Sequence, residues 1–131
     1  MNNDEILNMP AGREMDVLVA ELADWKKVPS ADDPAGWCWL VPHGSTRAST
    51  TDSIPPFSSD ISAAWQVVEK HPHYFSLHRS NETGFAPAPW GDTLWRCRFY
   101  APGKFEAKAE TAPLAICRAA LLCAETLKSN L

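Results

Sequence analysis

Arg96, Arg98 and Tyr100 occupy alternate positions of one stretch that reads as a strand, 93–100. Alternate residues of an extended chain point to one face, so this spacing sets two guanidinium groups and a phenol side by side. A guanidinium fork matches the oxygens of a phosphate or a carboxylate, and a tyrosine ring can stack on a nucleobase. The plainer reading of the same residues is surface charge, paired with Glu106 across a hairpin. Arg118 lies inside the most apolar segment of the chain. A charge there needs a partner, whether a carboxylate, backbone carbonyls or a bound anion. Arg13 is a further cation on an amphipathic segment, with surface or capping charge as its alternative. Trp90 sits in a Pro-Trp-Gly loop, where a large aromatic needs a stacked base or a neighbouring subunit. Trp37 and Trp39 share a strand face and read as core. The candidate ligand-binding set is therefore Arg96, Arg98, Tyr100, Trp90, Arg118 and Arg13.

Other chemistry is weakly supported. His71-Pro72-His73 resembles a metal pair, but metal sites need three or more compatible ligands, and His43 and His78 show no convergence with it. No metal site and no cofactor are expected. His43, Ser45 and Asp52 can be drawn as a triad, yet their loop has no nucleophile elbow. No glycine-rich phosphate loop is present in the sequence. No residue is assigned a catalytic role.

The elements that position these groups can be read from periodicity. Residues 4–8 suit one short helical turn. Pro10 suits the first turn of a longer helix, and Met15, Leu18, Leu22 and Trp25 recur at helical spacing. This predicts about four turns, with Lys26 and Lys27 complementing the dipole near the end and Pro29 as the stop. Residues 37–41 form a short strand closed by Pro42. The stretch 43–56, rich in Ser, Thr and Pro, is a long loop of the kind that is functional or mobile. A second helix begins at Ser58-Ser59-Asp60, all good N-caps, with Ile61, Ala64, Trp65 and Val68 as its apolar face. It ends before Pro72. Three alternating strands follow, at 74–79, 93–100 and 104–110.

A two-residue turn at Pro102-Gly103 would set Phe99 opposite Glu106, an apolar residue against a charge. A three-residue loop or bulge instead sets Phe99 opposite Phe105 and Arg98 opposite Glu106. That register is expected, although it leaves Pro102 at an unfavoured turn position. Thr111 caps the last helix, and Pro113 sits in its first turn. Ile116, Ala120, Cys123 and Leu127 form its apolar stripe, broad enough to predict deep burial.

The order is α-β-α-β-β-β-α. The expectation is an α+β fold with a three- or four-stranded, mainly antiparallel sheet packed with three helices, as one domain over 1–131. The 131 residues are enough to bury a core. A net charge of −4 and a pI near 5.5 argue against a polymeric nucleic acid as partner. The cysteines at 38, 97, 117 and 123 form no Cys-x-x-Cys, and read as reduced core residues. Neither a signal peptide nor a membrane-length apolar run is apparent, so a cytoplasmic location is expected.

Three segments together resemble the phage ABA-sandwich domain family of phage and prophage genomes. They are Gly12-Arg13-Glu14-Met15-Asp16 with Val19-Ala20-Glu21, the run from Pro56-Phe57-Ser58-Ser59-Asp60 through Trp65 to Lys70, and the run from Ala109-Glu110-Thr111-Ala112-Pro113 to Leu121. Their order and spacing match across most of the chain, and the last two are the specific ones. The stretch from Ser80 to Gly91 departs from the pattern in being longer and richer in proline. The resemblance implies an α/β sandwich made by a phage and acting in a bacterial cytoplasm. It implies no activity. By analogy with unrelated phage proteins that sequester the nucleotide signals of bacterial immunity, the expected role is a non-enzymatic sponge for a small nucleotide-like ligand, working as a homo-oligomer. An enzyme that cleaves such a signal and a protein–protein inhibitor or structural accessory module are the alternatives.

Overall fold

In the computed structural model, the described residues are 2–32, 36–40, 47–48, 54–70, 74–79, 94–100 and 103–129. The first helix, α1 (Asn3–Asn8), is capped by Asn2, whose side-chain oxygen accepts from the Glu5 N–H at 2.8 Å. The second, α2 (Arg13–Ala20), buries Met15, Val19 and Ala20, and passes into a 3₁₀ turn at Glu21–Ala23.

The sequence reading carried α2 too far. The chain reverses at Asp24, which takes a left-handed conformation with φ 67°. The Trp25 N–H donates to the Ala20 carbonyl at 3.0 Å, and the Asp24 N–H to the Glu21 carbonyl at 3.3 Å. This pair of bonds is the Schellman stop, with aspartate where glycine is usual. Lys26 and Lys27 consequently lie in a strand, β1 (Lys26–Pro29), and not in a helix end. β1 pairs antiparallel with β2 (Trp37–Leu40), setting Lys27 opposite Trp39. A two-residue strand, β3 (Arg47–Ala48), pairs on the other side of β2.

Helix α3 (Ile61–Lys70) starts from Asp60, the last of the three expected caps. Its side-chain oxygen accepts from the Ser62 N–H at 3.0 Å and its carbonyl from the Ala64 N–H at 2.9 Å. Then come β4 (Tyr74–Arg79), β5 (Trp95–Tyr100) and β6 (Lys104–Ala109), an antiparallel sheet in that order. Tyr100 pairs with Lys104, so the hairpin closes over three residues, and Phe99 faces Phe105 while Arg98 faces Glu106. Gly103, at φ 89°, supplies the left-handed residue that such a loop requires. The last helix is α4 (Ala112–Ser129).

The α+β class and the antiparallel pairing agree with the sequence. The single sheet and three helices do not: among the described residues there are two three-stranded sheets and four α-helices. Two strands are extra: β1, released from the helix by the stop at Asp24, and β3, which lies within the stretch 43–56 expected as a loop. The fourth helix is α1, expected as a single turn at 4–8.

Helix α4 is the hub, packing on β5, β6, α1, α2 and α3. Ala115, Ala119 and Ala120 on the helix, with Ala107 and Ala109 on β6, are all buried, and their small side chains let helix and sheet approach closely. Phe99, Ile116, Met15, Val19 and Val67 are fully buried around them. Each such large side chain contributes about 1.5–3 kcal/mol. Trp39 is also fully buried, with Trp25 and Trp37 edge-on to it at 6.5 and 5.2 Å.

Candidate functional site

The pairing of β4, β5 and β6 determines which side chains share the face turned away from α4. Opposed residues of an antiparallel pair lie on one face. Three rows result: Tyr74, Tyr100 and Lys104; Ser76, Arg98 and Glu106; His78, Arg96 and Lys108. Arg96, Arg98 and Tyr100 are thus together, as the alternation predicted. The sequence reading did not add Tyr74, His78, Lys104 and Lys108. The two lysines were legible, since the expected hairpin register already sets them opposite Tyr100 and Arg96.

The rows differ in exposure. Tyr74 is 85% exposed and Tyr100 38%. Arg96, at 5%, is buried at the other end. In the middle row the Arg98 Nε–H donates to Glu106 Oε1 at 2.7 Å. The hydrogen bond to Glu106, then one with Tyr100, raises the guanidinium above its ordinary range. Burial pushes the Glu106 carboxyl up, but the hydrogen bond and charge of Arg98, helped by Lys104 and Arg96, outweigh it and hold the group below its usual value. The Ser76 hydroxyl is buried and has no hydrogen-bond partner among the described residues. Across the three rows four cations (Arg96, Arg98, Lys104, Lys108) face one carboxylate, Glu106, on a chain of net charge −4. Such a face attracts a small anion, and its tyrosine end offers a stacking surface.

The remaining candidates lie elsewhere. Arg13 donates through Nη1 to the Ile54 carbonyl at 3.2 Å. Arg118 is held by backbone carbonyls: Nε and Nη2 donate to Met9 at 3.0 and 2.9 Å, and Nη1 to Lys108 at 2.8 Å. Its partner is one of the kinds expected for a charge in that helix. Trp90 lies outside the described residues, as do His43, Ser45, Asp52, His71 and His73.

A buried polar cluster was missed. Asp16 is 2% exposed and Ser58 1%. One Asp16 carboxyl oxygen accepts from the Ser58 N–H at 2.8 Å and from its hydroxyl at 2.7 Å, and the Gly12 N–H donates to that hydroxyl oxygen at 2.9 Å. Asp16 falls outside the apolar spacing of Met15, Leu18, Leu22 and Trp25, and Ser58 reads as a cap. Their shared place in two of the family-like segments was the available signal.

The architecture is that of an α+β sandwich with helices and sheet packed about one central helix, tied by buried polar contacts and carrying a basic outer face. The chain belongs to the phage ABA sandwich domain family, whose model matches residues 18–121. It is similar in structure to a phage protein from Bacillus cereus ATCC 14579, determined by crystallography. That likeness has 26% identity and a TM-score of 0.57, and covers 88% of this chain and 93% of the other. No curated protein matches the chain. Among the described residues, no helix is long and apolar enough to cross a membrane.

Proposed function

We propose that this phage-family protein is a non-enzymatic accessory that captures a small nucleotide-like ligand on the outer face of β4, β5 and β6. The supporting observation is the concentration of cations on that face of an acidic chain, graded into exposed tyrosines. Phosphate groups suit Arg98, Lys104 and Lys108, with the buried Arg96 adding positive charge beneath them, while a base suits Tyr100 and Tyr74. Exchanging Glu106 for a ligand phosphate at Arg98 costs little, because a partly exposed ion pair contributes little stability. Capture alone would silence a bacterial immune signal carried by such a nucleotide, and a homo-oligomer would allow two copies to share a ligand.

A thermal-shift panel of cyclic nucleotides and ADP-ribose derivatives tests the reading. A ligand at 100 times its Kd stabilises by about 2.7 kcal/mol, a readily measured rise in Tm. Chromatography of the hit after incubation and denaturation should return it intact. Altered nucleotide would make the protein an enzyme, and no stabilisation at saturating ligand would point to a protein partner.

A further inference from the structure

A groove of about 480 Å³ opens where β6 meets the start of α4. Its volume lies within the range of small-molecule sites. Pro10, Ala11, Leu94, Ala109 and Leu114 give it apolar walls, Glu110 and Arg118 are its charged groups, and Lys108 borders it at the carbonyl that Arg118 holds. We propose that this groove binds a small monocarboxylate with an apolar body, held at the carboxylate by Arg118.

Arg118 is fixed before any ligand arrives. It is held from two sides: one carbonyl just beyond α1 and one from β6 take three of its donors. A guanidinium has five N–H donors, so two remain. Both carbonyl partners are uncharged, and among the described residues no carboxylate is hydrogen-bonded to Arg118. The positive charge is therefore oriented but not neutralised. Burial lowers the affinity of this guanidinium for its proton, with Glu110 acting in the opposite sense at a distance. An arginine stays protonated even so, and an anion in the groove would relieve the cost of its partial burial.

The charges select the anion. Arg118 and the nearby Glu110 are the charged side chains of the groove, and the two remaining guanidinium donors match a carboxylate. A phosphate dianion would set a second negative charge beside Glu110 with no further cation to offset it. The apolar walls call for a hydrocarbon or aromatic body on the carboxylate. This site does not depend on the sheet-face reading: Lys108 meets the groove at its carbonyl and the outer face with its side chain.

Calorimetric titration with benzoate and 3-phenylpropionate, against phenyl phosphate, tests it. Both carboxylates should bind the intact chain, and phenyl phosphate at least tenfold more weakly. Ala11 is exposed and outside the core, so Ala11→Phe should fill the groove, abolish carboxylate binding and leave Tm unchanged. Glu110→Gln should narrow the preference against phenyl phosphate. Arg118→Lys, which loses the fork, should weaken benzoate binding at least tenfold. Carboxylate binding unaffected by Ala11→Phe would overturn the site, as would no binding by the intact chain. Tighter binding of phenyl phosphate than of benzoate would overturn the assignment of a monoanion.

Discussion

Replacing Asp16 by alanine should be among the most damaging single changes outside the hydrophobic core. Asp16 accepts two hydrogen bonds from Ser58, one from its backbone N–H at 2.8 Å and one from its hydroxyl at 2.7 Å. Both residues are almost wholly excluded from solvent. Alanine leaves the Ser58 N–H without an acceptor and the Ser58 hydroxyl only the long bond to the Gly12 carbonyl at 3.4 Å, and an unsatisfied buried donor costs about 1–3 kcal/mol. The expected loss is roughly 3 kcal/mol, a large share of the ~5–15 kcal/mol typical of a domain. Asp16→Asn keeps one acceptor oxygen and should lose less than half as much. Urea unfolding followed by tryptophan fluorescence gives the values, since Trp25 and Trp39 are both buried. A double-mutant cycle with Ser58→Ala isolates the hydroxyl bond and should show coupling of about 1–2 kcal/mol. A loss below ~1 kcal/mol for Asp16→Ala, or additive single and double mutants, would refute the reasoning.

Three further outcomes are expected. Glu106 has a lowered folded pKa, so its pairing stabilises the protein above the ordinary carboxylate value of 4.5 and fades as pH falls through the folded value. The difference in urea midpoint between the intact chain and Glu106→Gln should therefore be steady from pH 7 to 5 and vanish on further acidification; growth of that difference in acid would contradict the assignment. Burial pushes the Cys97 thiol up to about 12 and raises Cys117 and Cys123 as well, so labelling of these thiols by Ellman's reagent at pH 8 should be slow and should accelerate in Asp16→Ala in step with unfolding. Asp24→Gly relieves a left-handed aspartate at the end of the 3₁₀ turn and should gain about 0.5 kcal/mol, less whatever the 3.2 Å ion pair with Lys70 contributes; Asp24→Val should lose more than ~1 kcal/mol, and equal stability of the two variants would count against the Schellman stop.

Legibility followed the kind of force that decides each feature. The 99–105 register could be read because burial decides it: a one-residue slip would have put Glu106 against Phe99 in the core. The start of α3 was legible within a turn because Asp60 is a strong cap. The end of α2 was not. Leu22 and Trp25 continue the helical spacing, while the stop is made by a left-handed aspartate that no composition rule flags as glycine would be. Trp25 is buried either way, first as a predicted helical residue and in fact as the apolar residue just beyond the stop. That one conformational choice converts Lys26 and Lys27 into strand residues and adds the second sheet. Asp16 and Ser58 escaped for a different reason: each has a sound local explanation, and only the tertiary pairing reveals that they are partners.

The polar groups divide by what they bond. Arg13 and Arg118 bond to main-chain carbonyls, and Asp16 bonds in part to a main-chain N–H. Main-chain partners cannot swing away, so these side chains are committed to holding segments together, and they come from the first and third of the segments that resemble the family, with Ser58 in the second as the partner of Asp16. Arg98 bonds a side chain on the neighbouring strand, with both partners partly exposed. A pair of that kind contributes little to folding and can exchange Glu106 for an incoming anion. The residues that mark the lineage therefore carry the architecture, and the ligand reading rests on the sheet face, where charges remain exchangeable. Arg118 belongs partly to both groups, because three donors are spent on the fold and the residue lines a groove. Its substitution should disturb stability and carboxylate binding together, whereas Ala11→Phe should remove the binding alone.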